Sequence, residues 1–272
     1  MADFYPLEMA KLEVDSCIRV WREILEEHFD DKIEYVYVKG SSVRGWDSPI
    51  DYVPVLSDVD IHIKLREGSS LFEENAKQFE EGLAISAEYE ERFIAENPDP
   101  LHVPRVQVMA LNRHLSDPDF VLPTYIPEQN MLIGKIDSWT VRPTDEVKAV
   151  DLRNLLKLRD VLAPLPERVM DRVGIDLIAL IRMLCYEVSP APVRLLSQFE
   201  DNPYHVWDMN RTAICAELKK HGFTDLAESY RDYYLTGWEV FRSGFLDDKA
   251  MRKLVNRAHS VLELSMLYAT KI

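Results

Sequence analysis

Between Leu7 and Phe29 the apolar residues Val14, Ile18, Trp21, Leu25 and Phe29 recur at steps of three and four. That spacing puts them on one face of an amphipathic helix. Glu26, Glu27, Asp30 and Asp31 close the segment with polar residues. Ile33, Tyr35 and Tyr37, with Val36 and Val38 between them, then form a β-rich run that Gly40 and two serines end. A polar loop follows, carrying Gly45, Pro49 and Pro54. Val59, Ile61 and Ile63 next alternate with Asp58, Asp60, His62 and Lys64, which predicts a strand with one apolar and one polar face.

Phe72, Ala76, Phe79 and Leu83 predict a second long helix running to about Ile94, before the turn signal Asn97-Pro98-Asp99-Pro100. Val106, Val108 and Leu111 mark a third strand. The first half therefore reads helix, strand, strand, helix, strand, an α/β (α+β) pattern with a small mixed sheet. From about Asp145 strand signals nearly vanish. Leu152, Leu155, Leu156, Val161 and Leu162 fit a helix ended near Pro164 and Pro166. Further helical stretches run from Ile175 to Tyr186, Pro192 to Phe199, Asn210 to Lys220, Thr224 to Val240 and Lys249 to Tyr268. An all-α helical bundle, residues 145–272, is expected to follow an α/β domain of residues 1–144.

Composition narrows the class. The 272 residues are 47% hydrophobic and 29% charged, as in ordinary globular domains. No apolar run approaches the roughly 18 residues that span a bilayer. The opening MADFYPLEMAKLEVD is not built like a signal peptide. Cys17, Cys185 and Cys215 form neither a disulfide framework nor a zinc pattern, so buried, reduced thiols and a cytoplasmic location are expected. The net charge of −15 argues against a nucleic-acid partner and favours a cationic small molecule, although solubility alone also accounts for it.

The chemistry concentrates in Lys39-Gly40-Ser41-Ser42-Val43-Arg44-Gly45 and Ser57-Asp58-Val59-Asp60-Ile61. A Gly-Ser turn after a strand lets backbone N–H groups approach an anion, and a helix N-terminus after it would strengthen the attraction. Asp58 and Asp60 stand two apart on a strand and point to one face. Paired carboxylates suit Mg²⁺, which can align and neutralise a triphosphate.

On these residues the chain resembles the DNA polymerase beta-like nucleotidyltransferase superfamily. The signature there is a hydrophobic strand, Gly-Ser, then Asp-x-Asp on the next strand. Gly40-Ser41, Arg44-Gly45, Ser57 and Asp58-Val59-Asp60 match it. The order of elements and the helical second half look like the aminoglycoside nucleotidyltransferase branch, with Leu180-Ile181-Arg182-Met183 and Pro192-Val193-Arg194-Leu195 as weaker matches. The resemblance implies transfer of a nucleoside monophosphate from ATP or another nucleoside triphosphate to a hydroxyl of a small acceptor. Asp58 and Asp60 would hold Mg²⁺ and carry catalysis. Gly40, Ser41, Ser42, Arg44 and Ser57 would contact the nucleotide.

Three residues or segments depart from that pattern. Lys39 stands where the family has an apolar or aromatic residue. The stretch from Ser42 to Ser57 is long, and Trp46 to Leu56 reads either as a flap over the site or as surface decoration. The position of the family's third carboxylate falls on Gln107, which offers Mg²⁺ a neutral oxygen and cannot act as a base. A working enzyme would then draw its base from the helical half, where Asp176, followed by Asp171, is the candidate; either also reads as a plain helix-start carboxylate. The alternative is a non-catalytic nucleotide-binding module, or a transferase acting on RNA or protein. His62 shares the strand face of the aspartates, and Trp207, Tyr230, Tyr233, Tyr234 and Trp238 read either as the lining of a pocket for a ring-bearing substrate or, more simply, as helix-bundle core and surface.

Overall fold

The computed structural model describes residues 6–72, 77–115, 117–123, 125–136 and 141–272. The chain is mixed α/β, with a small mixed sheet and a mostly helical C-terminal region. It divides into two compact units, Met1–Arg44 with Ser57–Thr140, and Gly45–Leu56 with Val141–Ile272.

In the first unit α1 (Leu7–Phe29) leads into β1 (Ile33–Lys39), β2 (Val59–Leu65), α2 (Lys77–Glu96), β3 (Val106–Ala110) and β4 (Met131–Gly134). Among the described residues the strands form one sheet in the order β3-β2-β1-β4. β1 is antiparallel to β2 and β4, whereas β2 and β3 are parallel. Alternation along the strands gives the sheet two unlike faces. One face carries Val36, Val38, Val59, Ile61 and Ile63, all buried. The same unit's α1 and α2 pack side by side and bury Val14, Cys17, Val20 and Ile24, and Tyr89 and Phe93. Each Val, Ile or Phe side chain so removed from water contributes about 1.5–3 kcal/mol. The other face carries Tyr35, Tyr37 and Lys39 beside Asp60 and His62.

Two predicted helical faces need correction. In α1 the buried stripe runs through Ala10, Val14, Cys17, Val20 and Ile24, and Ile18 and Trp21 lie half-buried to one side of it. Phe72 precedes α2 and lies half-buried edge-on to Phe29, but the apolar stripe expected within α2 does not face the core. Phe79 and Leu83 are exposed, and Ile85, Tyr89 and Phe93 are the buried positions. Ala76 lies outside the described residues. β4 was not anticipated because its run Met131-Leu132-Ile133 is too short for a period to show. Leu111 ends β3 by turning into a short 3-10 helix.

The second unit contains α3 (Thr144–Leu162), α4 (Leu165–Met170), α5 (Asp176–Val188), α6 (Ala191–Leu196), α7 (Pro203–Asp208), α8 (Arg211–Lys220), α9 (Thr224–Arg242) and α10 (Asp248–Ala269). α10 packs on α9, α5, α3 and α6 and so forms the centre of the bundle. Side chains close several helix starts: Asn210 accepts from the Ala213 N–H at 2.8 Å, and Asp247 from the N–H groups of Lys249 and Ala250 at 2.9 and 3.0 Å. Tyr230, Tyr233, Tyr234 and Trp238 are buried, as core residues. Among the described residues no helix is long and apolar enough to cross a membrane.

The segment Gly45–Leu56 is not surface decoration. It is part of the helical unit's core, with Ile50, Tyr52, Val53 and Leu56 buried. Arg211, at the start of α8, donates to the carbonyls of Ile50 and Asp51 at 2.9 and 3.1 Å while its guanidinium lies 3.9 Å from the Tyr234 ring centre. Trp238 Nε1 donates to the Pro49 carbonyl at 2.8 Å. Gly237 permits the closest approach: a Cβ there would stand 2.3 Å from a Leu56 methyl.

Candidate functional site

The first unit brings most of the sequence's candidate residues to one end of β1 and β2. β1 ends at Lys39, and Gly40 turns the chain at φ +86°, a conformation open to glycine and costly for other residues. The Val43 N–H donates to the Gly40 carbonyl at 3.3 Å, closing the turn. Ser42 is fully buried; its hydroxyl donates back to the Lys39 carbonyl at 3.2 Å, and Lys11 of α1 donates to its carbonyl at 2.9 Å. Ser42 thus braces the turn. Ser41 and Arg44 are half-buried and Ser57 is buried. No helix follows the turn, so the N-terminal dipole considered for that position is absent.

Register sets what faces what. Lys39 pairs with Asp60 across β1 and β2, and Asp60 pairs with Gln107 across β2 and β3. At this level one sheet face therefore reads Lys39, Asp60, Gln107: cation, anion, neutral amide. Asp60 leans toward the turn, since a Cβ on Gly40 would meet its Oδ2 at 2.5 Å. Burial raises the Asp60 carboxyl to about 6; Asp58 adds to the rise, while Lys39, Arg105 and Arg44 oppose it. Burial lowers Lys39, and Arg44 reinforces that, with Asp60 pulling the other way.

Asp58, just before β2, is engaged by Arg105, just before β3. Arg105 Nε donates to Oδ1 at 2.8 Å and an Nη to Oδ2, a bidentate pair. Sequence reasoning missed Arg105. The signal was its place one residue before the third strand, as Asp58 is one residue before the second.

Further along the same face His62 accepts from or donates to Tyr37 Oη through Nδ1 at 2.9 Å and lies beneath Phe120. Burial lowers His62 to about 2, and Lys39 and His114 contribute in the same direction. It is a neutral, covered residue next to the site. Asp176 stands in the other unit, exposed at the first turn of α5, and Asp171 is exposed just after α4.

Asp60, against a turn with no side chain at Gly40, and Asp58, two residues before it, can together hold one divalent cation, provided Arg105 yields at least one Asp58 oxygen. They do not suit a pair of ions, because Gln107 adds no charge and Lys39 adds a positive one. Among the described residues, clustered metal-type ligand atoms occur instead at Glu27, His28 and Glu88 and at Glu200, Glu217 and His221. Arg92 and Lys220 already neutralise these groups in part.

No protein-family model, curated protein or solved structure matches this chain.

Proposed function

We propose that the first unit binds a nucleoside triphosphate at the Gly40–Ser41 turn. It transfers the nucleoside monophosphate to a hydroxyl of a small, cationic acceptor of the aminoglycoside kind. The acceptor oxygen bonds to the α-phosphorus, the bond from that phosphorus to its bridging oxygen breaks, and pyrophosphate leaves. The observation that carries this reading is the Asp60 carboxylate lodged against the bare face of Gly40. It puts an anion-accepting turn and a cation-holding carboxylate at one point, as phosphoryl chemistry needs.

Each residue then has a task. The backbone N–H groups of the turn and the Ser41 hydroxyl donate to phosphate oxygens. Arg44 pairs with them and fixes their orientation. Asp58 and Asp60 would hold Mg²⁺, which when bound supplies charge to neutralise the triphosphate and the departing pyrophosphate. Gln107 has no basic atom, so the acceptor's proton goes to a carboxylate outside this row. The net charge of −15 suits a cationic acceptor.

Gln107 also favours a second reading, a nucleotide-binding module without turnover. A panel of nucleoside triphosphates with Mg²⁺ and mixed acceptors, scored by pyrophosphate release, separates the two. Release that depends on acceptor and disappears in Asp60→Asn supports transfer. Triphosphate binding without release under any acceptor supports the module, and failure to bind any triphosphate overturns both.

A further inference from the structure

We propose that Lys39, with Arg44 and Arg105, holds the triphosphate chain through the protein's own charge, so that the site takes a polyphosphate without a divalent ion. The inference rests on the nucleotide-binding reading above and changes what supplies the charge.

Two carboxylates facing a phosphate chain repel it unless cations intervene. Here the cations are built in. Lys39, Arg44 and Arg105 all act on Asp60, against the two negative charges of Asp58 and Asp60 themselves. The three cations favour the charged form of Asp60, and of the charged groups Asp58 alone opposes them. Lys39 is placed by register and not by a mobile loop: it is the last residue of β1 and the cross-strand partner of Asp60. Directly paired residues in such a ladder have Cβ atoms about 4.5–5.5 Å apart. A second metal ion beside Asp60 would have to share that space with an ammonium, whereas a phosphate oxygen would be drawn to it.

Arg105 extends the argument. Its side chain is 40% exposed and Asp58's is 13% exposed, so the guanidinium can turn toward a phosphate from the solvent side without unburying Asp58. Arg suits that role, because its planar fork matches two phosphate oxygens. The row from Lys39 through Asp60 to Gln107 thus replaces a ring of carboxylates with a graded one. Its cationic end lies next to the turn that receives the phosphates.

Titration calorimetry on the intact chain tests this with inorganic tripolyphosphate and with ATP, in chelator and then with Mg²⁺. We expect both ligands to bind in chelator. Lys39→Met should weaken that binding about tenfold or more, as for loss of a charge-assisted contact, and Lys39→Arg should restore most of it. Circular dichroism on both variants checks that the sheet is intact, and the Lys39→Arg comparison carries the test if Lys39→Met does not fold. Binding seen only with Mg²⁺ overturns the inference and leaves nucleotidyl transfer standing. Equal binding by wild type and Lys39→Met in chelator overturns the role of Lys39. No binding under either condition overturns the nucleotide reading itself.

Discussion

Asp51 and Thr212 meet through both carboxylate oxygens: Oδ1 accepts from the Thr212 backbone N–H at 2.8 Å and Oδ2 from its hydroxyl at 2.7 Å. Oδ2 also accepts from the N–H groups of Asp47 and Ser48 at 2.8 and 2.9 Å. One buried carboxylate thus joins residues 45–56 to the first turn of α8. Asp51→Ala leaves these donors unpaired and should cost about 3 kcal/mol or more. Asp51→Asn should rescue little, because its amide NH₂ would confront N–H donors. Urea denaturation followed by circular dichroism measures both.

Gly40→Ala should abolish triphosphate binding while costing the fold little. The left-handed backbone adds about 1–2 kcal/mol of strain. The new methyl would also have to displace the Asp60 carboxylate, 2.5 Å from where it would sit. A variant that melts a few degrees below wild type yet binds no ATP is the expected result; wild-type affinity would show that Asp60 and the turn do not act together.

Gln107→Glu restores a carboxylate beside Asp60 with almost no change of shape. Its added charge should raise Mn²⁺ affinity about tenfold, read by titration calorimetry or by the ion's electron paramagnetic resonance. If wild type binds triphosphate without turnover, this variant is the one expected to gain pyrophosphate release. Unchanged metal affinity would mean that residue 107 does not contribute to the ion's environment.

Asp151 provides the pH dependence. It is buried in α3, and burial raises its carboxyl to about 6 in spite of Ser197, Trp207 and Arg194, which lower it. Trp207 Nε1 donates to it at 3.0 Å. The native state therefore binds this proton more tightly than the unfolded chain. Stability from Asp151 is present below the unfolded value near 4 and is lost as pH rises to about 6. Asp151→Asn lacks that loss. Its stability relative to wild type should grow by on the order of 2 kcal/mol between pH 4.5 and 7.5, measured by denaturant unfolding. A difference that stays flat across this range would place the carboxyl in an ordinary environment.

The sequence showed most of the elements and the residues at the head of the sheet, because both announce themselves locally. Alternation around Asp58 to Lys64 reveals a strand and its polar face, and Gly40-Ser41 reveals a turn. Cross-strand partnership does not show locally. Lys39 read as a departure until register put it opposite Asp60, and Arg105 went unnoticed until its pair with Asp58 appeared. Hydrophobicity misled at Phe79 and Leu83, which lie on the solvent side of α2. The loop after Gly45 misled for the opposite reason: polar punctuation at Pro49, Asp51 and Pro54 hid residues that are core to another part of the chain.

The excursion of residues 45–56 makes the two units inseparable by a single cut. The backbone passes from one to the other after Arg44, returns before Ser57 and passes again after Thr140. A protease cleaving only at 140 would leave both halves tethered by two strands of chain. An expression fragment ending there would carry the buried strap away from the bundle that needs it. Any recombinant exchange of the helical unit must therefore replace two stretches together, and the junctions of the first abut Arg44 and Ser57.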